Sequence, residues 1–180
     1  RLHKSGAIFD LEKLTWFNHH YLRALSETDY RKVLADYAKR MGKPLPTDFA
    51  SERFLVSVVR ERAPTLRVVF AELEDASYLR ERPSYAHEKL FWKDVTDAAV
   101  IAHNLRAVRE AVVNMGDPES PDKVKEVIMP IADREGRGAT LWPTRFALSG
   151  RDSSPDPFTL VWILGKTESL YRIECALHLI

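Results

Sequence analysis

Cysteine is almost absent from this sequence of 180 residues, in which Cys175 is the only one. A single thiol forms no internal disulfide and builds no multi-cysteine metal site, which is typical of a protein from the reducing cytoplasm. Long apolar runs are missing as well: no stretch approaches the ~20 residues that a membrane span requires, and no basic segment followed by an apolar one opens the chain. The 7 glycines and 10 prolines are scattered, which excludes a low-complexity block. We therefore expect an ordered cytoplasmic protein without a membrane partner.

An excess of charge of one sign is also lacking, because the net charge of the whole chain is only +1. The charges are unevenly distributed, however: residues 1–70 carry 13 Lys and Arg against 8 Asp and Glu, and residues 71–135 carry 9 against 14. A locally basic surface can hold phosphate groups. Ordinary scatter of surface charge explains the same numbers, so this feature alone does not identify a partner.

Apolar residues recur at helical spacing along nearly the whole chain, as in the segment that Ser26 begins and Gly42 ends and in the segment before it, for which Asp10 is the predicted cap. Residues 54–59 and 66–70 also fit short strands, but each lies inside a longer helical pattern. The sequence predicts an all-α fold, because 45% hydrophobic residues supply a core and no strand pattern stands alone. We place the boundary between two consecutive helical-bundle subdomains, 1–82 and 83–180, in the polar, proline-containing stretch RERPSYAHEK.

Two helix starts near the C-terminus follow from proline positions. Pro143 predicts a short helix that ends at Gly150 and points Arg145 outward. Ser154 followed by Pro155 predicts the start of the next helix, which should break at Gly165.

Catalytic signatures are weak. The GKT at 165–167 lacks the first glycine of a phosphate-binding loop, since that position is Leu160. His19 and His20 are adjacent and would point about 100° apart on a helix, which does not make a metal site. The carboxylates of Glu72, Glu74 and Asp75 are typical of a solvated helix face. The sequence therefore predicts neither a catalytic centre nor a metal site.

Three segments resemble a known family, in the expected order and over essentially the whole chain. The opening HKSGAIFDLEKLTWFNHHYLRAL is similar to the start of the anticodon-binding half of bacterial-type glutamyl-tRNA synthetases, where an SKSPAVFD-like stretch precedes KLxWxNxxYIR. The stretch VVRERAPTL at 58–66 resembles that family's RxRxxTL helix end. The closing WPTRFALSGRDSSPDPFTLVWILGKTESLYRIECAL resembles PLRxALTG, a proline loop and LLGKExxLxRIExAL.

The resemblance implies the C-terminal part of a glutamate–tRNA ligase, in which two all-helical subdomains form an anticodon-binding cage. In that family an upstream nucleotide-binding fold activates glutamate with ATP and Mg²⁺, and its two signature motifs do not occur in this sequence. The implied partner is tRNA(Glu), bound by a monomer. This chain by itself should need no cofactor and should be catalytically inactive.

The resemblance also assigns residues. Arg145 matches the arginine of PLR, which contacts an anticodon base, and Ser154, Pro155 and Pro157 match the loop around the flipped bases. Arg62 matches the second arginine of RxRxxTL, which reads the third anticodon base, and Arg60 matches the first.

Two departures from the family pattern accompany these matches. Trp142-Pro143-Thr144-Arg145 stands in place of Gln-Pro-Leu-Arg, and Asp156-Pro157 in place of Gly-Leu, which sets an acid where RNA is expected. For Arg145, a surface ion pair with Asp152 or Asp156 is the alternative role. For the whole chain, the alternatives are a helical protein-interaction module without RNA binding and, less in keeping with the missing motifs, a complete small enzyme.

Overall fold

The computed structural model describes residues 10–180. Regular structure in this range is helical apart from an isolated antiparallel bridge between Trp92 and Val95, which confirms the predicted all-α fold. The α-helices are α1 Leu11–Ala24, α2 Glu27–Met41, α3 Phe49–Arg53, α4 Arg60–Arg62, α5 Leu66–Asp75, α6 Ala98–Asn114, α7 Pro121–Glu135, α8 Arg137–Ser149 and α9 Pro157–Leu179. A π-helical segment, Phe54–Val59, joins α3 to α4, and short 3₁₀ turns cover Ser77–Leu79 and His87–Leu90. None of the helices within residues 10–180 has the length and apolar character to cross a bilayer.

Polar side chains at the helix starts satisfy backbone N–H groups that have no partner within the helix. Asp10 accepts from the N–H of Lys13 at 3.0 Å, and Ser26 accepts from that of Asp29 at 3.1 Å. The side chains of Asp48, Thr65, Asp97, Ser120 and Asp156 cap other helices in the same way. These caps explain why α1 and α2 begin where the sequence predicts.

The described residues form two compact units, of which the first contains residues 10–47 and 52–76. Its core consists of apolar side chains from α1, α2, the π-helical segment and α5: Leu22, Tyr30, Leu34, Phe54, Leu55, Val59, Val69, Phe70 and Leu73. Asn18 donates to the carbonyl of Pro64 at 2.5 Å and so ties α1 to the turn between α4 and α5. Burial of each large apolar side chain contributes about 1.5–3 kcal/mol to stability, which is why this small unit holds together.

The second unit contains residues 77–180 together with 48–51. Each of the helices α6, α7, α8 and α9 packs against the other three, which makes a four-helix bundle. Fully buried side chains fill its centre: Ile101, Leu105, Val108, Val112, Val124, Ile128, Ala147, Leu148, Leu160, Val161, Ile163 and Ile173. The bundle fixes the end of α8, the start of α9 and the loop between them.

The predicted helix start at Pro143 is wrong, because α8 begins at Arg137 and Pro143 lies inside it. A residue with an N–H at position 143 would bond to the carbonyl of Ala139, and proline has no N–H to give. The buried side chain of Asn104 on α6 donates to that carbonyl at 3.0 Å instead. A neighbouring helix therefore supplies the bond that proline removes, and α8 continues through it.

The predicted helix start at Ser154-Pro155 is also wrong. The start of α9 is at Pro157, and Asp156 caps it by accepting from the N–H of Thr159 at 2.9 Å and from its hydroxyl at 2.7 Å. The predicted break at Gly165 is confirmed, since its φ of 78° and ψ of 166° interrupt α9.

Candidate nucleic-acid interface

Arg145 lies in the last turns of α8 and is half-buried. Its Nη2 donates to the main-chain carbonyl of Asp152 at 2.9 Å, and its guanidinium carbon lies 4.7 Å from the centre of the Trp142 ring. Neither candidate acid pairs with it: the carboxylate of Asp152 pairs with Lys89 at 3.4 Å, and that of Asp156 caps α9. Arg145 is therefore oriented by a ring and a carbonyl, and no carboxylate of the residues described neutralises its charge.

The loop between α8 and α9 is fixed at its first residues. Ser149 Oγ donates to the carbonyl of Arg145 at 2.9 Å and accepts from the N–H of Arg151 at 3.2 Å. Gly150 ends α8 with φ 62°, and a Cβ at this position would lie 2.5 Å from the side chain of Pro83. Only glycine combines this backbone conformation with so close an approach, so the direction in which the loop leaves α8 is set by the local sequence.

The predicted loop residues lie on this same segment. Ser154 and Pro155 are half-buried, and Ser154 Oγ lies 3.1 Å from Ser149 Oγ. Pro157 is buried as the first residue of α9. Asp156, the acid that looked out of place beside RNA, has a structural role as the cap of α9. Ser154, Pro155 and Pro157 thus lie in the loop and helix start that follow Arg145, and Ser154 is linked to Arg145 through Ser149.

The Trp142 ring that contacts Arg145 belongs to a small cluster of aromatic rings. The centres of the Trp92 and Trp142 rings are 5.2 Å apart, and those of Trp142 and Phe146 are 5.9 Å apart. The Nε1 of Trp142 donates to the carbonyl of Lys89 at 2.9 Å. In the sequence, Trp142 is marked only as a departure from the family pattern, and Trp92 carries no mark. Trp92 and Trp142 lie 50 positions apart in the sequence, so no local pattern joins them; the signal that could have singled out Trp142 is its position about one helical turn before Arg145.

Arg172 of α9 contacts the end of α8, and its side chain is buried, with only 3% exposed. Its Nη1 donates to the carbonyls of Tyr78 at 2.8 Å and Leu148 at 2.6 Å, and its Nε donates to Glu168 at 2.9 Å. Burial acts to raise the pKa of Glu168, but hydrogen bonds from Arg82 and Arg172 outweigh it and hold that pKa below its ordinary value. Arg172 thus fixes the carbonyl of Leu148 in the last turn of α8, two residues before Gly150.

In the first unit, Arg60 is directed to the protein itself. Its Nη2 donates to the carbonyl of Arg23 at 3.0 Å and to that of Leu25, which are the last acceptors of α1. Its guanidinium carbon lies 5.3 Å from the centre of the Tyr30 ring. Burial raises the pKa of Tyr30 to about 12, although the charge of Arg60 acts in the opposite direction. Contact between Arg60 and tRNA stays a prediction.

Arg62 is exposed at the end of α4 and pairs with Glu72. Its Nε donates to Glu72 Oε2 at 2.6 Å, and its guanidinium carbon lies 5.8 Å from the Phe54 ring. Glu72 was predicted to belong to a solvated acidic face, whereas its side chain orients Arg62. A guanidinium has five donors, and Glu72 occupies one edge, so Arg62 keeps donors for another acceptor. Its role in reading the third anticodon base also stays a prediction.

In the part of the chain that the structure describes, no three side chains of His, Cys, Asp or Glu lie close enough together to hold a metal ion. Residues 4–9 of the opening resemblance lie outside that part, and Asp10 is the cap of α1.

Comparison with known proteins matches residues 11–177 to the family described as the anticodon binding domain. Among curated proteins, the chain is 31% identical over 185 residues to glutamate–tRNA ligase 1 of Caldanaerobacter subterraneus subsp. tengcongensis, with 100% of this chain and 37% of that protein aligned. It is 32% identical over 179 residues to the glutamate–tRNA ligase of Flavobacterium johnsoniae, with 98% and 34% aligned. The chain spans about a third of the length of these relatives.

Solved structures give the same result for the fold. The glutamate tRNA ligase of Elizabethkingia meningosepticum, crystallised with its amino acid, superimposes with a TM-score of 0.69 at 24% identity over 98% of this chain and 34% of that one. The glutamate-tRNA synthetase of Elizabethkingia anophelis gives a TM-score of 0.65 at 26% identity over 98% and 33%. The chain belongs to the anticodon-binding domain family, in the form found in the C-terminal region of glutamate–tRNA ligases.

Proposed function

We propose that this chain binds the anticodon of tRNA(Glu), as a monomer in the cytoplasm, for a glutamate–tRNA ligase. The rest of that enzyme, about two thirds of its length in the relatives, activates glutamate with ATP and Mg²⁺ and transfers it to the tRNA. On this proposal the 180 residues by themselves hold RNA, need no cofactor and carry out no chemistry.

The geometry of Arg145 supports the proposal most directly. Its guanidinium is oriented by the Trp142 ring and the carbonyl of Asp152, and it has further N–H donors directed at no carboxylate of residues 10–180. Unpaired anticodon bases expose both faces and edges, and an arginine can stack on a face and donate to an edge. A held, un-neutralised guanidinium beside a stiff loop therefore fits a single-stranded RNA loop.

Titration of the isolated chain with tRNA(Glu) at several fixed salt concentrations tests the proposal. We expect saturable binding that weakens as salt rises, because phosphate contacts release counterions, and no glutamate-dependent exchange of pyrophosphate with ATP. Equal affinity for tRNA(Glu) and for a tRNA with an unrelated anticodon would contradict anticodon recognition. Measurable exchange by the pure chain would contradict the assignment of catalysis to the missing part.

A protein-interaction role is the second candidate, and the exposed apolar face of α1 favours it. Leu14 is 50% exposed, Phe17 39% and Tyr21 66%, and their i, i+3, i+7 spacing places them along one side of the helix. Contiguous apolar side chains of this size often mark a contact with another protein surface. Sedimentation velocity tests self-association through this face: we expect a monomer, and concentration-dependent association that is lost in Tyr21→Ser would instead identify the face as a self-association surface.

A further inference from the structure

The first half of α1 is exposed on all sides. Every residue of the stretch 11–17, which makes about two helical turns, is exposed, whereas the second half of the helix contains the buried Leu22. Large apolar side chains are exposed along the helix, and we refer to five of them as the α1 surface: Leu11, Leu14, Trp16, Phe17 and Tyr21. Leu11 and Trp16, which lie off the side formed by the other three, are 67% and 61% exposed, so the surface extends around the start of the helix.

Hydrogen bonds that join α1 to the rest of the first unit start from the second half of the helix. Asn18 donates to the carbonyl of Pro64 at 2.5 Å, and His19 Nε2 lies 3.0 Å from the carbonyl oxygen of Glu61. The ion pair between Arg23 and Glu61, at 2.7 Å, is at the same end. A short helix gains little stability in water from its own hydrogen bonds, since most helical stability in proteins comes from packing. Within residues 10–180, the first half of α1 therefore lacks the packing that would stabilise it.

The composition of the α1 surface fits a protein partner better than RNA. Lys13 and Arg23 are the lysine and the arginine of α1, and Glu61 neutralises Arg23. Glu12 stands next to Lys13, so the exposed first half carries no excess of positive charge. RNA binding requires cations that neutralise phosphates, whereas large apolar and aromatic side chains with few charges are typical of the centre of a protein interface.

The position of α1 in the sequence indicates which protein covers it. On the proposed function, the rest of the ligase, about two thirds of its length, precedes this C-terminal region. The nine residues before Asp10 span at most about 30 Å when fully extended, so the preceding part is held close to α1. A tether this short gives an effective concentration in the millimolar range, which favours the preceding part of the same polypeptide over a second copy or a separate protein.

We propose that, in the whole ligase, the α1 surface packs against the part of the enzyme that precedes residue 1. This inference rests on the proposed function for the existence of that part, and it adds a fixed attachment between the two parts. Domains of one chain move relative to each other unless their interface is large and hydrophobic. An apolar attachment through α1 limits such motion, so that a tRNA held at its anticodon is also held in a defined position relative to the catalytic part.

Hydroxyl-radical footprinting of the whole ligase, read by mass spectrometry, tests the proposal through two tyrosines. Tyr21 belongs to the α1 surface, and Tyr171 on α9 is the matched control, because it is 46% exposed and lies outside that surface. The guanidinium carbon of Arg82 lies 3.6 Å from the centre of the Tyr171 ring, which lowers the reactivity of the control and makes the comparison conservative. We expect Tyr21 to be oxidised at least about fivefold more slowly than Tyr171, because an interface removes its surface from solvent.

The same footprint distinguishes the other occupants. Without any cover Tyr21, the more exposed of the two tyrosines, should react at least as fast as Tyr171, and this result would overturn the proposal. Protection of Tyr21 that increases with enzyme concentration would identify a second copy as the occupant. Protection that begins only when tRNA(Glu) is added would identify RNA. Either of these results would also overturn the proposal.

Phe17→Ser in the whole ligase provides a second measurement, with Tyr171→Ser as its control. We expect Phe17→Ser to raise the oxidation rate of Tyr21 to that of Tyr171 and to lower kcat/KM for charging of tRNA(Glu) about 3- to 100-fold, because the bound tRNA is less well positioned. Its Kd for the anticodon stem-loop RNA should stay within about twofold of the wild type, since the anticodon contacts are distant. Tyr171→Ser should change neither kcat/KM nor Kd. Equal losses in kcat/KM and in stem-loop affinity for Phe17→Ser would show general unfolding and overturn the proposal.

Failure of this inference is distinguishable from failure of the proposed function. If Tyr21 reacts as fast as Tyr171 in a ligase that binds tRNA(Glu), the interface fails and anticodon binding stands. If Tyr21 is protected in a whole protein that does not bind tRNA(Glu), the RNA function fails and the interface stands. If the reading frame encodes no further part before residue 1, both fail.

Discussion

Two arginines can be compared in each of the two units, one that binds backbone carbonyls of the protein and one that is a candidate contact for RNA. Arg60 donates to the carbonyls at the end of α1, and Arg172 donates to those of Tyr78 and Leu148. Arg62 and Arg145 are the candidate contacts, but Arg62 is paired with Glu72 whereas Arg145 is oriented by a ring and a carbonyl. The residue type is the same throughout, so the number of donors already used and the presence of a carboxylate decide what each arginine can do.

The difference between Arg62 and Arg145 concerns charge as well as geometry. Glu72 neutralises Arg62, which leaves an oriented donor with little net attraction for phosphate. Arg145 keeps its positive charge, because no carboxylate of the described residues pairs with it. We expect Arg145 to contribute mainly affinity and Arg62 mainly discrimination, and the following substitutions test this division.

Arg172→Met should have the largest effect, on stability. It removes a buried guanidinium, leaves Glu168 without one of its partners and leaves buried carbonyls without donors, so the free energy of unfolding should fall by about 3–5 kcal/mol. Urea denaturation followed by circular dichroism measures it. Arg137→Met is the control, since it breaks an exposed pair with Asp133 at 2.6 Å and should cost less than about 1 kcal/mol. Equal costs would show that Arg172 does not hold the bundle.

Arg145→Ala should weaken binding of tRNA(Glu) by about 1–3 kcal/mol, because one base contact is lost. The helical circular dichroism should not change, since its guanidinium donates to the loop and not to the core. Titration of both proteins at one fixed salt concentration measures the difference. Arg106→Ala, at an exposed position on α6, is the charge-matched control. Should the control lose as much affinity, Arg145 acts only through long-range charge.

Arg62→Gln should reduce discrimination at the third anticodon position, which is C for glutamate and G for glutamine. Cytosine presents acceptors to an arginine that only donates, whereas the pairing edge of guanine presents donors; glutamine both donates and accepts. The difference in transition-state free energy between charging of the tRNA with C and charging of the tRNA with G should narrow by roughly 1 kcal/mol, the lower end for one base contact. Charging of glutamate tRNA with C or G at that position, by the whole enzyme, measures the gap. A loss of the same factor on both tRNAs would identify a scaffold role.

The pH dependence of stability should contain a small contribution from Glu168. Its pKa is lowered in the folded protein, so its stabilising effect is present above the pKa of the unfolded chain and is lost as pH falls through the folded pKa. Glu168→Gln should therefore flatten the acid side of a stability profile, measured as the denaturation midpoint at successive pH values. An unchanged slope would show that the hydrogen bonds from Arg82 and Arg172 do not depend on the carboxylate charge.

The sequence predicts the helices well where the cause is local. The apolar spacing and the caps Asp10 and Ser26 give the correct starts of α1 and α2, because a cap acts on N–H groups two or three residues away. The prediction from sequence fails at Pro143, because Asn104, the donor that replaces the missing N–H of proline, lies on another helix. No local pattern contains that information, since only the packing of α6 against α8 brings the amide to the carbonyl.

The candidate site likewise contains residues that the local sequence predicts and residues that it does not. Arg145 and the loop residues were predicted from a segment of continuous sequence, and the structure places them together. The partners that orient them come from elsewhere: Trp92 is remote from Trp142 in the sequence, and Arg172 lies beyond the loop. By its place in the sequence Asp156 is expected to face RNA, whereas in the structure it caps α9. Its role depends on where that helix begins, and the two nearby prolines leave this boundary ambiguous in the sequence.

The bonds of Arg172 also set an order of events during folding. Its side chain joins a carbonyl 94 residues earlier in the chain and another 24 residues earlier. Contacts of such sequence separation form late, because closing the intervening chain costs entropy before any contact is made. Synthesis from the N-terminus delays them further, since α9 follows every other helix of the bundle. The loop beside Arg145 therefore acquires its final geometry only when α9 docks, so the proposed RNA binding should report completion of the fold.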